Sequence, residues 1–268
     1  MAAAARTALI TGASSGIGRA LAGEFARHDW NLILTARRGG RLEELAGQLR
    51  GEHGVTVTCL PADLADPAAP RHLFDTVQGR GLQVDALVNN AGYGVPGPYH
   101  KTDWADQQAF LQVLVMAVAE LTHHFLPAMV ERRQGWILNV ASLNALLPCS
   151  PGQSLYAGAK AFAVSLTQTI AAEVGQHGVL ASSLCPGLTY SEFHDVTGTR
   201  EQVSQVPRSQ WLDAETVAAA GYAALMRGDL VCVPGRTPRL MALAAQLLPR
   251  ATMVRLMARQ SARFRRLD

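Results

Sequence analysis

Short runs of β-branched and leucine-rich residues alternate along the chain with longer segments of helical periodicity. Glycine, proline or asparagine bounds each run, and most intervals between runs can hold one helix. The seven runs predicted as strands are Thr7–Ile10, Asn31–Thr35, Val55–Leu60, Ala86–Val88, Trp136–Val140, Leu180–Leu184 and Leu230–Val233. This alternation predicts right-handed βαβ units, and therefore an α/β fold with a doubly wound parallel sheet and helices on both faces.

Composition and the lack of linkers favour a single domain of this kind. Hydrophobic residues make up 49% of the 268 residues and charged residues 17%, which suits a sheet buried on both faces. We see no Pro-, Gly- or Ser-rich linker and no internal repeat. We therefore predict one domain over residues 1–268, with a core at 5–235 and a helical extension at 236–268.

Cysteine usage and the N-terminal sequence favour a reducing, cytoplasmic setting and no metal centre. The four cysteines form no CxxC motif and have no histidine at a ligand spacing, so neither a zinc site nor a disulfide framework is predicted. The first residues lack a signal-peptide pattern. The apolar runs are shorter than the roughly 20 residues of a membrane span.

Charge is unevenly distributed between the body and the extension. The net charge is +3, but residues 236–268 hold eight arginines, no lysine and one acidic residue, Asp268, which gives +7 there and −4 elsewhere. Pro249 divides the extension into two amphipathic pieces. Their apolar stripes are Leu240, Leu243, Leu247 and Leu248, and Met253, Leu256 and Met257. We expect packing on the body or across a subunit interface, with a membrane-surface helix as the less favoured alternative. Nucleic-acid binding is not predicted, because aromatic residues hardly interleave the basic ones, Phe264 being the single case within residues 236–268.

A glycine-rich turn follows the first predicted strand and opens a helix that extends to about His28. The segment reads Thr11-Gly12-Ala13-Ser14-Ser15-Gly16-Ile17-Gly18. Gly12 permits a tight turn, Gly16 lets the backbone approach a pyrophosphate, and Gly18 lets the helix pack closely on the sheet. The helix N-terminus offers N–H groups and a positive dipole end to phosphates. A plain strand–turn–helix is the alternative, but the flanking elements favour dinucleotide binding.

Four further segments follow in a fixed order. They are Asn89-Asn90-Ala91-Gly92 after the fourth strand, Ser142 after the fifth, Tyr156-Ala157-Gly158-Ala159-Lys160 at the next helix, and Cys185-Pro186-Gly187 after the sixth strand. With these motifs in register, the chain resembles the short-chain dehydrogenase/reductase family from residue 7 to about residue 195. The resemblance implies a Rossmann-like fold of about seven strands and an oxidoreductase that forms a homodimer or homotetramer.

The end of the second strand predicts the cofactor. It reads Thr35-Ala36-Arg37-Arg38, with Ala36 where NAD-type members of the family carry an Asp that would repel a 2′-phosphate. Arg37 can form charge-assisted bonds to a phosphate, and Arg38 adds a second positive charge or stacks on adenine. A solvated arginine pair is the alternative. We predict NADP(H) in preference to NAD(H).

The resemblance also implies the remaining cofactor contacts. Asp63 and the Leu64 backbone would bind adenine, and Asn90 would lie near the adenosine ribose or hold neighbouring strands together. Thr189 and Ser191 lie where hydroxyls contact the nicotinamide carboxamide. Besides the arginines, the expected set is Gly12, Ser14, Ser15, Gly16, Ile17, Gly18, Asp63, Leu64, Asn90, Gly92, Tyr156, Lys160, Pro186, Gly187, Thr189 and Ser191.

Tyr156 and Lys160 are four residues apart, so they share one face of a helix. An unperturbed tyrosine has a pKa of about 10, too high for proton exchange near neutrality, and a neighbouring ammonium would lower it. The resemblance implies that Tyr156 protonates the alkoxide formed from a carbonyl, that Ser142 hydrogen-bonds the same oxygen, and that Lys160 binds the nicotinamide ribose. Alcohol oxidation is the reverse, and no metal is required.

Two positions depart from the family pattern. The Ser142–Tyr156 separation is one residue longer than expected. Leu114 occupies the position where the family carries an Asn that holds a proton-relay water, and a leucine side chain cannot hydrogen-bond water. Either another group completes the proton path, or the enzyme is slow, or the chain is an NADP(H)-binding pseudoenzyme or scaffold.

Residues 188–212 resemble the family's substrate lid and contain several aromatic side chains. The residues expected at the substrate are Ser142, Asn144, Tyr93, Tyr190 and Phe193. They predict a medium-sized apolar ketone, aldehyde or secondary alcohol as the small-molecule partner. Three functions stay open: a carbonyl reductase or alcohol dehydrogenase, a pseudoenzyme, and a non-redox family member such as an epimerase or dehydratase.

Overall fold

A seven-stranded parallel sheet forms the centre of the computed structural model, which describes residues 5–148, 152, 154–192 and 206–264. The strands are β1 (Thr7–Thr11), β2 (Asn31–Thr35), β3 (Val57–Cys59), β4 (Ala86–Asn89), β5 (Gly135–Val140), β6 (Val179–Leu184), β7 (Thr189–Tyr190), β8 (Leu212–Asp213) and β9 (Val231–Cys232). The order in the sheet is β3-β2-β1-β4-β5-β6-β9, while β7 pairs with β8 separately.

The predicted fold class is confirmed, and the predicted strands differ from the observed ones mainly at the edges of the sheet. β3 and β9 are shorter than the predicted Val55–Leu60 and Leu230–Val233. Each of these strands pairs on one side only, and edge strands are commonly short. The β7–β8 pair was not predicted, because two-residue strands carry no periodicity.

Helices cover both faces of the sheet. Their bounds are α1 (Gly16–Arg27), α2 (Gly39–His53), α3 (Ala69–Gly79), α4 (Trp104–Leu111), α5 (Ala117–Glu131), α6 (Ser154–Val174), α7 (Ala214–Arg227), α8 (Arg236–Leu247) and α9 (Arg250–Phe264). Helices α1, α2 and α7 contribute to the core on one face, and α3, α4, α5 and α6 to the core on the other. The first helix, predicted from about Ile17 to His28, is confirmed to within one residue at each end.

Strand β1 shows why the composition is so apolar. Ala8 and Ile10 belong to the core cluster on one face of the sheet, whereas Leu9 belongs to the cluster on the other. Successive side chains of a strand point to opposite faces, so a strand covered on both sides needs apolar residues at every position. All three side chains are fully buried.

The strand order changes direction between β1 and β4. The chain builds β1, β2 and β3 outward on one side, then returns to add β4, β5 and β6 on the other. In open parallel sheets, ligands bind in the crevice that such a reversal leaves at the carboxyl ends of the strands. The fold therefore places a candidate site beside the C-termini of β1 and β4.

One helical stretch, Trp104–Glu131, is long and apolar enough to span a membrane by length and composition alone. From the sequence we expected no apolar run as long as a membrane span. The stretch joins α4, a π-helical turn at Gln112–Met116, and α5. Phe110, Leu121 and Phe125 belong to the core on one face of the sheet. The apolar character of the stretch therefore serves packing of its helices against the sheet.

The C-terminal extension packs on the body through a different face than expected. Ala242 of α8 and Met253 of α9 are buried against Leu143 and Leu147. The predicted apolar stripe of the first piece, Leu240, Leu243, Leu247 and Leu248, lies exposed. Packing of this stripe on the body is therefore wrong, while packing across a subunit interface stays a prediction. The second stripe is split: Met253 is buried, whereas Leu256 is exposed.

Candidate active site

A cavity of ≈ 560 Å³ opens at the carboxyl ends of the strands. Its floor includes the glycine turn between β1 and α1. Its walls come from the ends of the other strands, from α6 and from the C-terminal extension. The switch point of the sheet and the cavity coincide, as expected for an open parallel sheet.

Most of the predicted site residues line this one cavity. They are Gly12, Ser14, Ser15, Gly16, Ile17, Arg37, Arg38, Asp63, Leu64, Asn90, Gly92, Tyr93, Ser142, Asn144, Tyr156, Lys160, Pro186, Gly187, Thr189 and Ser191. Gly18 and Tyr190 are not among the lining residues. Phe193 lies outside the described residues.

The glycine turn is held together by side chains from two strand ends. Asn90 Nδ2 donates to the carbonyls of Thr11 at 2.9 Å and Gly12 at 3.2 Å. Thr11 Oγ1 accepts from the backbone N–H groups of Asn90 and Ala91. Of the two roles expected for Asn90, the structure therefore shows the one that joins neighbouring strands, and Thr11 was missed because its partners are 79 and 80 residues away.

Glycine is required at position 18 by close approach. A Cβ at Gly18 would lie 2.3 Å from both Asn90 Nδ2 and the Gly12 carbonyl oxygen. Gly12 itself has a φ of +66°, a conformation that side chains with a Cβ rarely adopt. The turn is therefore tight, and the N-terminus of α1 lies at the cavity, where its N–H groups and dipole favour an anion.

Replacing Gly18 by Ala is expected to destabilise the protein by about 1–3 kcal/mol, because the methyl group forces backbone shifts in a packed turn. Gly23 on the same helix is the matched control, since a Cβ there meets nothing within 4 Å. Gly23→Ala is expected to be neutral or stabilising by up to about 1 kcal/mol. Urea unfolding of both variants measures the difference, and equal stabilities would contradict the close approach.

Arg38 links the glycine turn to the residue after Ser191. Its guanidinium donates to Ser14 Oγ at 3.2 Å, to Ser15 Oγ at 3.1 Å and to the Glu192 carboxylate at 3.1 Å. Arg41 donates to the same carboxylate at 2.8 Å. Partial burial acts to raise the pKa of Glu192, but the hydrogen bonds from Arg41 and Arg38 outweigh it and lower the pKa.

Arg41 and Glu192 were not predicted. The pairing joins positions 151 residues apart, which no local pattern reveals. An acidic residue directly after Ser191 was the available signal. Arg37 lines the cavity beside Arg38, so both predicted arginines border the same space.

Ser142, Tyr156 and Lys160 converge at the end of β5. The side chains of Tyr156 and Ser142 are hydrogen-bonded, and Ser142 Oγ also accepts from the Asn144 backbone N–H at 3.2 Å. Lys160 Nζ donates to the Val140 carbonyl at 2.7 Å and lies 6.0 Å from the centre of the Tyr156 ring. The three predicted catalytic side chains therefore line one wall of the cavity.

A model of the family described as short chain dehydrogenase matches residues 6–202. The chain belongs to this family. Among curated relatives, Oxidoreductase UcpA from Escherichia coli (strain K12) is 36% identical over 182 residues, which are 68% of this chain and 68% of the relative. The predicted family is confirmed, and the chain is an oxidoreductase of the short-chain dehydrogenase type.

Solved structures of short-chain dehydrogenases share the fold and carry either nicotinamide cofactor. The enzyme from Sphingobium yanoikuyae in complex with NADPH is 30% identical, with a TM-score of 0.80 and coverage of 94% of this chain and 95% of that chain. A member from Burkholderia phymatum in complex with NAD is 28% identical, with a TM-score of 0.79 and coverage of 91% and 95%. Membership of the short-chain dehydrogenase family therefore leaves the cofactor preference open.

The pKa of Tyr156 differs from our expectation for a short-chain dehydrogenase. Burial raises the pKa of Tyr156 to about 12, although the hydrogen bond with Ser142 acts to lower it. Burial also lowers the pKa of Lys160 to about 8. The expected lowering of the tyrosine pKa is therefore wrong for the chain without cofactor, since desolvation of the phenol dominates. A protonated Tyr156 is nevertheless the form that a proton donor needs.

Leu114 is the residue expected in place of the family's proton-relay Asn. It is buried within the π-helical turn, a rare structure that is frequent at functional sites. A Cβ at Gly92 would lie 3.6 Å from Leu114 Cγ and 3.5 Å from Lys160 Nζ. Leu114 and Lys160 thus approach the same glycine, so the side chain expected to stand in place of the family's Asn lies close to Lys160.

The substrate side of the cavity is formed largely by residues that were not predicted. Tyr93 packs edge-on against Phe110, whereas Tyr190 stacks on Trp211 at 4.7 Å outside the cavity lining. Apolar side chains from the loop after β5 and from the extension complete the wall. They are Leu143, Leu147, Pro238, Met241 and Met257. The extension lies beyond the family motifs in the sequence, and no motif predicted that its residues line the cavity.

Proposed function

We propose that this short-chain dehydrogenase uses NADP(H) to interconvert a carbonyl compound and a secondary alcohol of apolar character. The observation that supports it most is the convergence of Ser142, Tyr156 and Lys160 on the cavity that contains the glycine turn. A proton donor, a hydroxyl that can hydrogen-bond the same oxygen, and a cation are the groups that carbonyl reduction needs.

The glycine turn fits the pyrophosphate of a dinucleotide. A Cβ at Gly12 would meet Ala91 Cα and Asn90 Nδ2 at 2.8 Å, and Gly16 also has a positive φ, so the turn is tight and its glycines add no side chain at the N-terminus of α1, where N–H groups can meet a phosphate. Asp63 and Leu64 would hold the adenine, and Thr189 and Ser191 the nicotinamide end. A bound nicotinamide supplies the hydride that the protein itself lacks.

Tyr156 would donate its proton to the substrate oxygen, and Ser142 would hold that oxygen by a hydrogen bond. Loss of the proton leaves a phenolate, which the Lys160 ammonium stabilises because it lies on the same face of α6. Lys160 is buried and Tyr156 partly buried, and the reduced exposure to water strengthens this interaction. In alcohol oxidation the same residues work in reverse, with Tyr156 as the base.

The preference for NADP(H) is supported by the arginine pair at the end of β2. Arg38 is held by Ser14 and Ser15 at the glycine turn, and a 2′-phosphate in that space would meet a guanidinium and two hydroxyls. Ala36 offers no carboxylate to a ribose hydroxyl. Cytoplasmic location, the one-domain description and homodimer or homotetramer assembly stay predictions.

The apolar substrate is supported by the methionine and leucine wall of the cavity. Initial rates with a panel of apolar ketones, aldehydes and secondary alcohols, each with NADPH and NADH, test the function through the absorbance of the reduced nicotinamide. Turnover with NADPH is the expected result. NADPH binding without turnover would favour the pseudoenzyme that Leu114 suggests, and product without net cofactor consumption would favour an epimerase or dehydratase.

The rate of carbonyl reduction is expected to fall as the pH rises above about 8. The reason is the lowered pKa of Lys160, about 8: below it the lysine is an ammonium, and above it the charge that stabilises the phenolate is lost. Tyr156, with a raised pKa of about 12, stays protonated throughout. Initial rates at saturating NADPH across a pH series measure the effect, with NADPH affinity in the same buffers as the control. A rate that stays level well above this pKa would contradict the role of Lys160.

A further inference from the structure

Helix α8 is apolar on two opposite faces. Pro238 and Ala242 are buried on the side that faces the body. On the other side Leu240, Leu243 and Leu247 are 67%, 50% and 74% exposed. Their spacing of three and four residues places them in one stripe, which we call the leucine stripe. A helix on the surface of a soluble protein normally turns polar residues outward, so an exposed apolar stripe marks an interaction surface.

Arginines border the leucine stripe. Arg236 lies one turn before Leu240 on the same face, and Arg239 is exposed one turn before Leu243. Arg250 and Arg255 are exposed on the first turns of α9. No acidic residue occurs from residue 236 to residue 267. The surface therefore combines apolar side chains with positive charges and carries no negative charge.

We propose that the leucine stripe and its flanking arginines dock onto the surface of an anionic lipid bilayer. Leucines buried at the headgroup boundary and arginines paired with lipid phosphates are the two contributions by which an amphipathic basic helix binds in the interface plane. The sequence alone favoured packing on the body or across a subunit interface. The exposure of the stripe removes the first of these options for α8, because the body covers the opposite face.

A second copy of the chain satisfies this surface less well than a bilayer. In a two-fold symmetric dimer the same patch meets itself, so the leucines would be covered, but the arginines of the two copies would be brought together. No acidic residue within the extension's helices offsets them. An anionic bilayer buries the leucines at its acyl-chain boundary, and its phosphates neutralise the arginines at the same time.

Docking would bring the cavity close to the lipid. Met241 of α8 and Met257 of α9 line the cavity, so the extension that carries the leucine stripe is also the apolar wall of the site. A substrate dissolved in the bilayer would then enter beside this wall. This consequence rests on the proposed function, whereas the docking itself does not.

Vesicle co-sedimentation of the full chain without cofactor or substrate tests the docking. Vesicles of phosphatidylcholine alone are compared with vesicles that also contain phosphatidylglycerol. The wild type is expected to bind the anionic vesicles at least about tenfold more tightly, and added salt should weaken that binding. Equal binding to both vesicles, or binding to neither, would overturn the proposal.

Two variants and their controls separate the contributions. Replacing the three leucines of the stripe by Ser, and replacing Arg236 and Arg239 by Glu, should each abolish binding to the anionic vesicles. Leu230→Ser and Arg71→Glu are the controls, because these residues are exposed on the body, and both should bind like the wild type. The salt dependence of binding by the wild type tests the proposal even if a variant does not fold. A dimer that the leucine variant dissociates, with no vesicle binding by the wild type, would assign the surface to a second copy. The activity assay is independent, so failure of one proposal leaves the other standing.

Discussion

Tyr156→Phe is expected to lower kcat for carbonyl reduction by about 10²–10⁴, because the variant keeps the ring but loses the proton that general acid catalysis transfers. Tyr156 is partly buried beside Ser142 and Lys160 and lines the cavity. NADPH affinity should change little, since the hydroxyl and not the ring carries the chemistry.

Tyr99→Phe is the matched control for Tyr156→Phe. Tyr99 is about half exposed and does not line the cavity, so the same loss of a hydroxyl should leave kcat unchanged. Steady-state rates give kcat, and quenching of the intrinsic fluorescence by NADPH gives the Kd. Wild-type turnover in Tyr156→Phe would exclude this residue as the proton donor, and the proposed mechanism with it.

Arg38→Ala is expected to raise the Kd for NADPH about tenfold to hundredfold, because one charge-assisted hydrogen bond to the 2′-phosphate is lost. The Kd for NADH should change little, since NADH has no such phosphate. Arg37→Ala should act in the same direction, since Arg37 also borders the cavity. Arg71→Ala, on the exposed surface of α3, serves as the control that removes a remote arginine.

Titration of each variant with both cofactors measures this effect. Equal losses for NADPH and NADH would show that Arg38 supports the glycine turn and does not select the cofactor. The Glu192 carboxylate, which also pairs with Arg38, would then be a structural partner alone. This outcome would leave the role of Tyr156 untouched.

Local pattern predicted the fold, and together with the family motifs it predicted about half of the residues that line the cavity. The glycine turn, Asn90, Ser142 and the Tyr156–Lys160 pair each follow a strand end, and the carboxyl ends of parallel strands necessarily meet at one edge of a sheet. Their convergence is therefore built into the strand order. Short-range periodicity sufficed because each strand is buried on both faces.

Contacts between distant positions could not be predicted in the same way. The Arg41–Glu192 ion pair and the approach of Met257 to the cavity depend on how remote segments pack, which no motif encodes. The pKa of Tyr156 was misjudged for a related reason: the spacing to Lys160 was visible in the sequence, but the degree of burial that outweighs it was not.

Residues from both ends of the described chain line the cavity. Gly12 and Met257 border the same space, and 244 residues separate them. A variant truncated before α9 would therefore keep the glycine turn but lose Met257, and with it part of the apolar wall of the cavity.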